Sequence, residues 1–109
     1  MKVFIVDIDG TICSQTLSIN GKKDYKSAKP NKNRIKVINN LFDNGNEIHY
    51  WTARGSVSGI DYSELTKNQL QKWACKFTSL RVGDKPHYDI WIDDKAIWSE
   101  EYFRINEIN

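Results

Sequence analysis

Four short stretches of this 109-residue chain hold side chains that could do chemistry together: Asp7-Ile8-Asp9-Gly10-Thr11, Thr52-Ala53-Arg54, Lys85, and Asp93-Asp94. Three of them follow runs of apolar or β-branched residues, and Lys85 stands on the loop before the last such run. If those runs are strands of one sheet, four carboxylates converge in one crevice. Two unit charges about 4 Å apart repel by roughly 4 kcal/mol at an effective dielectric of about 20, a large share of the roughly 5–15 kcal/mol that holds a domain folded. A cation is therefore expected among them, and oxygen ligands with no His or Cys nearby point to Mg²⁺ rather than Zn²⁺. A carboxylate, Mg²⁺, a hydroxyl and an ammonium are the parts of a phosphoryl-transfer site, where charge neutralisation and in-line positioning carry most of the work.

Each residue then has an expected role. Asp7 attacks phosphorus and forms an aspartyl-phosphate, splitting one difficult hydrolysis into two easier displacements. Asp9, two residues on and among acidic neighbours, protonates the leaving oxygen and later takes a proton from water. Gly10 permits a sharp turn that lets backbone N–H groups approach a phosphate. Thr52 donates its hydroxyl, and Lys85 offsets the charge of the phosphate and of Asp7. Ile8, Thr11, Ala53 and Arg54 complete the phosphate side, with Arg54 and the 55–59 loop reaching the rest of the substrate. The metal set is Asp7, Asp9 through its backbone carbonyl, Asp93, and Asp94 beside it. Plainer readings stand next to these. Asp-x-Asp after a strand also makes a turn and cap, and Thr52 is also a β-former. Arg54 also suits a surface salt bridge, and Asp94 is either support for the ligands or a solvent-facing acid. His49 and His87 are not at metal spacing. The tryptophans read as packing residues, with Trp51 and Trp98 the two that would border a pocket.

The elements that must position these groups are legible as alternating strands and helices. Lys2 to Ile8 lacks polar alternation and predicts a strand buried on both faces. From Thr11 to Lys29 no period is sustained, and Asn20-Gly21 between β-capable segments predicts a small hairpin flap. Ile35, Ile38, Leu41 and Phe42 recur at helical spacing until Asn44-Gly45 stops them. Glu47 to Trp51 predicts a second strand, and Asp61-x-x-Glu64 a capping pair for a helix that turns Leu65, Leu70, Trp73 and Phe77 inward. A short strand at Leu80 to Val82, a stronger one at Asp89 to Ile92 and a helical tail from Ser99 complete the pattern. Such alternation implies an α/β fold: one domain over 1–109, with an open, three-layer, Rossmann-like parallel sheet and ligands beyond the carboxyl ends of its strands.

Asp7-Ile8-Asp9-Gly10-Thr11, the strand ending in Thr52, Lys85 and Ile92-Asp93-Asp94 resemble the four ordered motifs of the haloacid dehalogenase-like (HAD) phosphatase superfamily, over nearly the whole chain. The resemblance implies a Rossmann-like core, an Asp nucleophile and Mg²⁺ dependence, with the roles given above. Larger members insert a cap domain between these motifs; here both gaps are filled, so a capless form is implied. Tyr50-Trp51-Thr52-Ala53-Arg54 and the stretch from Lys85 to Ile97 further resemble small capless phosphatases found with bacterial capsule and surface-polysaccharide genes. That narrower likeness implies a phosphorylated sugar or sugar-like precursor as substrate. Capless relatives such as the 3-deoxy-octulosonate 8-phosphate phosphatases use a neighbouring subunit, which implies a homo-oligomer with the Thr11 to Lys29 flap near its interface.

Composition narrows the rest. At 39% hydrophobic and 28% charged the chain is of globular type. A net charge of +2 with scattered lysines argues against nucleic acid as a partner. Met1 to Val6 is interrupted at Asp7, too early for a signal peptide or a membrane span. Cys13 and Cys75 match no metal or redox spacing and read as free thiols, so the cytoplasm is expected. Two other classes share part of the pattern. A phosphoacceptor receiver domain also gathers acids, a Thr and a Lys, but its Lys comes last and it lacks the acid at Asp9. A non-catalytic module would keep the phosphate and Mg²⁺ crevice without turnover.

Overall fold

The fold grows from two parallel crossovers. In the computed structural model, which describes every residue except Thr16, Ile19, Ile108 and Asn109, β1 (Val3–Val6), β2 (Glu47–Thr52) and β3 (Ser79–Val82) form a parallel sheet in the order β1-β2-β3. α1 (Lys32–Asp43) joins the first pair and α2 (Ser63–Lys72) the second; α3 (Ser99–Ile105) follows. The described residues thus make an α/β arrangement of three strands and three helices.

α1 begins where the Asn31 side chain accepts the Arg34 N–H at 3.2 Å, and it stops at Asn44 with Gly45 at φ +89°, as the Asn-Gly signal predicts. α2 starts one residue inside the expected capping pair. Tyr62 holds the cap position, while Asp61 accepts the Ser63 N–H at 2.9 Å. The helix ends by Trp73, so Trp73 and Phe77 pack against the core from the segment beyond it.

Register fixes which face is buried. Phe4 pairs with Ile48, Val6 with Tyr50, and Tyr50 with Leu80, so the core row of the sheet lies on one side with Ile35, Ile38, Leu70 and Phe103. The opposite row holds Val3 and Ile5, which are 58% and 63% exposed. The expectations of a β1 buried on both faces and of three layers are therefore corrected. Both crossovers step in the same direction across the sheet, so right-handed connections put both helices on the same face. α3 joins that side too: Arg34 of α1 pairs with Glu100 at 2.8 Å and lies 4.8 Å over the Phe103 ring.

The strand expected at Asp89 to Ile92 does not form. Residues 86–98 carry no regular structure, and Ile90 and Ile92 are 79% and 93% exposed. Of the predicted flap, part falls on Thr16 and Ile19, outside the described residues. Within the described ones an antiparallel bridge joins Leu17 to Lys23, and Gly21 turns at φ +79°. No described helix is long and apolar enough to cross a membrane.

Candidate functional site

β1 runs out at Val6, and the next residue places a carboxylate at the carboxyl end of the sheet. Asp7 is partly exposed, and the Lys85 ammonium, delivered by the loop after β3, stands 3.3 Å from its Oδ1. Two sequence-predicted residues 78 positions apart are thus in contact. Lys85 also lies 6.0 Å from the Trp51 ring and 5.8 Å from the Tyr88 ring, an aromatic surround that favours a held cation. Trp91 packs edge-on against both rings, at 6.3 Å from Trp51 and 5.1 Å from Tyr88.

After Asp7 the chain turns tightly. Gly10 sits at φ +78°, the conformation for which a glycine is suited. The Ile8 carbonyl accepts the N–H groups of Thr11 and Ile12 at 3.0 Å, and the Gly10 N–H donates to Cys13 at 2.9 Å. Ile8 is fully buried and serves this turn. The Gly10 and Thr11 N–H groups, expected to meet a phosphate, therefore donate within the loop. A cleft of about 620 Å³ opens beside Gly10 and Thr11 against Lys29, Asn31, Lys32 and Arg34, but Asp7 and Lys85 are not among its walls.

Asp9 and Arg54 depart furthest from expectation. Arg54 is neither a substrate contact nor a surface ion pair: it is 1% exposed. Its Nε and Nη2 hold the two oxygens of Asp9 at 2.9 and 2.8 Å, and its Nη1 donates to Gln69 at 2.5 Å and Thr66 at 3.2 Å. The Tyr25 ring lies 4.8 Å beneath the guanidinium. Burial works to strip the Arg54 proton, but hydrogen bonding and the charge of Asp9 outweigh it and push its pKa up. Asp9 accordingly faces a cation rather than the acidic neighbours expected. Thr66 and Gln69 complete this centre and were not singled out from the sequence. Their signal is two polar residues three apart on the inward side of α2, next to Leu65 and Leu70.

Thr52 ends β2 almost fully buried, and its hydroxyl accepts the Arg54 N–H at 3.2 Å. Ala53 is exposed, with its carbonyl accepting the Ser56 N–H at 2.9 Å. Asp93 and Asp94 are exposed on the irregular segment. The Lys95 N–H and the Trp91 indole bond Asp93 and hold its carboxyl below the usual carboxylate range. The structure does not show the expected convergence of four carboxylates: among the described residues no three His, Cys, Asp or Glu side chains gather to hold a metal. Asp7 meets Lys85 and Asp93 is engaged within its own loop, while the pairing of the Asp9 side chain with Arg54 leaves aside the backbone carbonyl expected on the metal side.

No family model matches the chain, and no curated protein matches it. It is similar to the crystal structure of a Vibrio cholerae protein described as an MCSG target. The two share 27% identity and a TM-score of 0.79, over 94% of this chain and 87% of that one.

Proposed function

We propose that the chain is a capless HAD-like phosphomonoester hydrolase that works through the carboxylate of Asp7. The observation that carries this reading is the contact of Asp7 with Lys85 at the carboxyl edge of a parallel sheet. It supplies an open carboxylate nucleophile and an ammonium to offset a phosphoryl group, at the place where such sheets bind ligands. An Asp7 oxygen forms a bond to phosphorus as the bond to the ester oxygen breaks, and the departing oxygen takes up a proton. Water then attacks the aspartyl-phosphate, returning the carboxylate and releasing phosphate. Arg54 takes one lone pair on each Asp9 oxygen, and the proton that Asp9 supplies sits on a remaining one. Mg²⁺ dependence belongs to the proposal through the resemblance of the motifs, although among the described residues no three His, Cys, Asp or Glu side chains come together. The substrate, a phosphorylated sugar or precursor of a surface polysaccharide, and the cytoplasmic location belong to the proposal and are supported by the resemblance of the motifs and by two free thiols.

Phosphate release from a panel of sugar, polyol and aryl phosphates, with and without Mg²⁺, tests the reading. The wild-type chain is expected to release phosphate and Asp7→Asn to release none while its circular dichroism is unchanged. Equal rates for the two proteins would remove Asp7 as the nucleophile.

The capture of Asp9 by Arg54 favours a second reading, a phosphoacceptor that takes a phosphoryl group on Asp7 and keeps it. A phosphoprotein that persists for minutes or longer selects that reading, and one that turns over too fast to isolate selects the hydrolase.

A further inference from the structure

Two exposed features of this molecule complement each other. Among the described residues the outer edge of β1 has no neighbouring strand, and Val3 and Ile5 beside it are largely exposed. Such an open apolar edge is a template for one more strand. The second feature is the segment 86–98, which leaves Ile90 at 79%, Trp91 at 44%, Ile92 at 93% and Trp98 at 73% exposure. Trp91 packs on Trp51 of β2, and Lys85 lies 5.8 Å from the Tyr88 ring. We infer that residues 89–92 of one copy add as a parallel strand to the β1 edge of a second copy, reciprocally. Asp93 and Asp94 are thereby delivered to the partner's Asp7.

Chain geometry says why the strand comes from another copy. Lys85 is held at Asp7, at the carboxyl end of β1. A parallel strand at 89–92 must start at the amino end, and only Pro86, His87 and Tyr88 intervene. Four Cα steps reach at most about 13–14 Å. The strand from Asp89 to Asp93 must itself climb about 13 Å, so even with the length of the Lys85 side chain the descent takes most of the reach and leaves little for the reversal. One chain can hold Lys85 at Asp7, or lay its own strand on β1 with Asp93 level with Asp7, but it is stretched to its limit by both. A second chain has no such tether.

Register agrees with the exchange. With Asp93 level with Asp7, Ile90 and Ile92 join the core row of Phe4 and Val6, and Trp91 falls beside Ile5 on the open row. A two-fold arrangement covers both copies' patches at once. In that register Ile90 and Ile92, 79% and 93% exposed, move to the core side, and Trp91 gains Ile5 as a cross-strand neighbour. Main-chain bonds along the new strand add to this, as in β-strand addition generally. The inference deepens the hydrolase reading where Asp93 joins the site, and rests on it only there.

Disulfide trapping tests it without any substrate. Directly opposed residues of adjacent strands stand about 4.8 Å apart, within the Cα range of a disulfide. Ile5→Cys protein and Trp91→Cys protein, unfolded, mixed, refolded and oxidised, are expected to give a disulfide-linked dimer joining one copy of each. Neither variant alone should do so beyond the wild-type background set by Cys13 and Cys75. Untreated wild-type chain is expected at twice its 12.7 kDa mass in light scattering. A double Ile5→Cys/Trp91→Cys chain that closes its disulfide within a monomer would overturn the exchange. So would the absence of any link between folded variants, or a monomeric wild type. Because trapping needs no turnover, a protein that cross-links but hydrolyses nothing would sink the hydrolase reading and leave the exchange standing.

Discussion

Arg54 shows how one side chain can change meaning once its surroundings are known. An arginine after a strand end suits a substrate anion. Here it is instead the buried cation that ties the Asp9 turn to α2, with Thr66, Gln69 and Tyr25 around it. Breaking a buried, hydrogen-bonded pair costs about 3–5 kcal/mol, chiefly because the surviving charge is left uncompensated. The survivor's burial therefore decides the size of the loss. The Arg54 side chain is 0% exposed and that of Asp9 is 17%, so Asp9→Ala strands the deeper charge and is expected to lower stability more than Arg54→Met. Urea midpoints of the two variants check the order, and the reverse order would mean that the pair is not the support it looks to be. The thiols give a second prediction. Burial, and then the charge of Asp9, push Cys13 up to about 12, and burial pushes Cys75 up to about 11, from an ordinary 9.0. The unfolded chain loses these protons first as pH rises, so their contribution is complete below about pH 9 and declines toward pH 11 and 12. The slope is on the order of 1.4 kcal/mol per pH unit for each thiol. Thermal melts at stepped pH should follow that decline, and replacing Cys75 with Ser should flatten it.

At the scale of elements, local signals were read well and long-range ones less so. α1 was legible because its apolar period, its Asn31 cap and the Asn44-Gly45 stop agree with one another. β2 was legible too, although its alternation is visible only in burial, with Ile48, Tyr50 and Thr52 inward and Glu47, His49 and Trp51 half outward. The run from Asp89 to Ile92 has strand-forming residues, but a strand needs a partner edge, and no local pattern reveals whether the chain can reach one. The same limit applies to Asp93 and Asp94, whose types were informative and whose position was not. The contact of Asp7 with Lys85 was legible because both follow strands of one sheet; the capture of Asp9 was not, because it depends on α2 lying over the strand ends. The loop between β2 and α2 carries a test of how tightly that helix is set. Gly55 has φ +83°, and a Cβ there would stand 2.1 Å from the Ile60 carbonyl oxygen; Gly59 has φ +77° with open space around it. Gly59→Ala should cost only the left-handed backbone penalty, about 1–2 kcal/mol. Gly55→Ala must also displace the Ile60 carbonyl, so its urea midpoint should fall further. Equal midpoints would show that the loop yields freely and that α2 is not held by it.

For the whole molecule, the exposed run at residues 90–92 and the open edge of β1 become one problem with one physical solution, the exchange of residues 89–92 between copies. If that exchange builds the site, the two acids of each site belong to different chains, and their losses can be complemented. Asp7→Asn removes the nucleophile, and Asp93→Asn removes the acid that the copy lends to its neighbour. Each variant alone is expected to release no phosphate. In a mixed pair, the site that keeps its own Asp7 receives Asp93 from the Asp7→Asn copy and is whole, while the other site lacks both. Mixing the two inactive proteins through a cycle of unfolding and refolding should therefore restore part of the wild-type rate, whereas mixing without unfolding should restore it only as fast as strands exchange. If the mixture stays inactive while disulfide trapping reports mixed pairs, Asp93 serves its own chain. If Asp93→Asn alone remains fully active, it takes no part in the reaction. Activity that rises with the fraction of mixed pairs would tie the chemistry at Asp7 to the open edge beside it, because the strand that pairs with β1 is the same one that supplies the missing carboxylate.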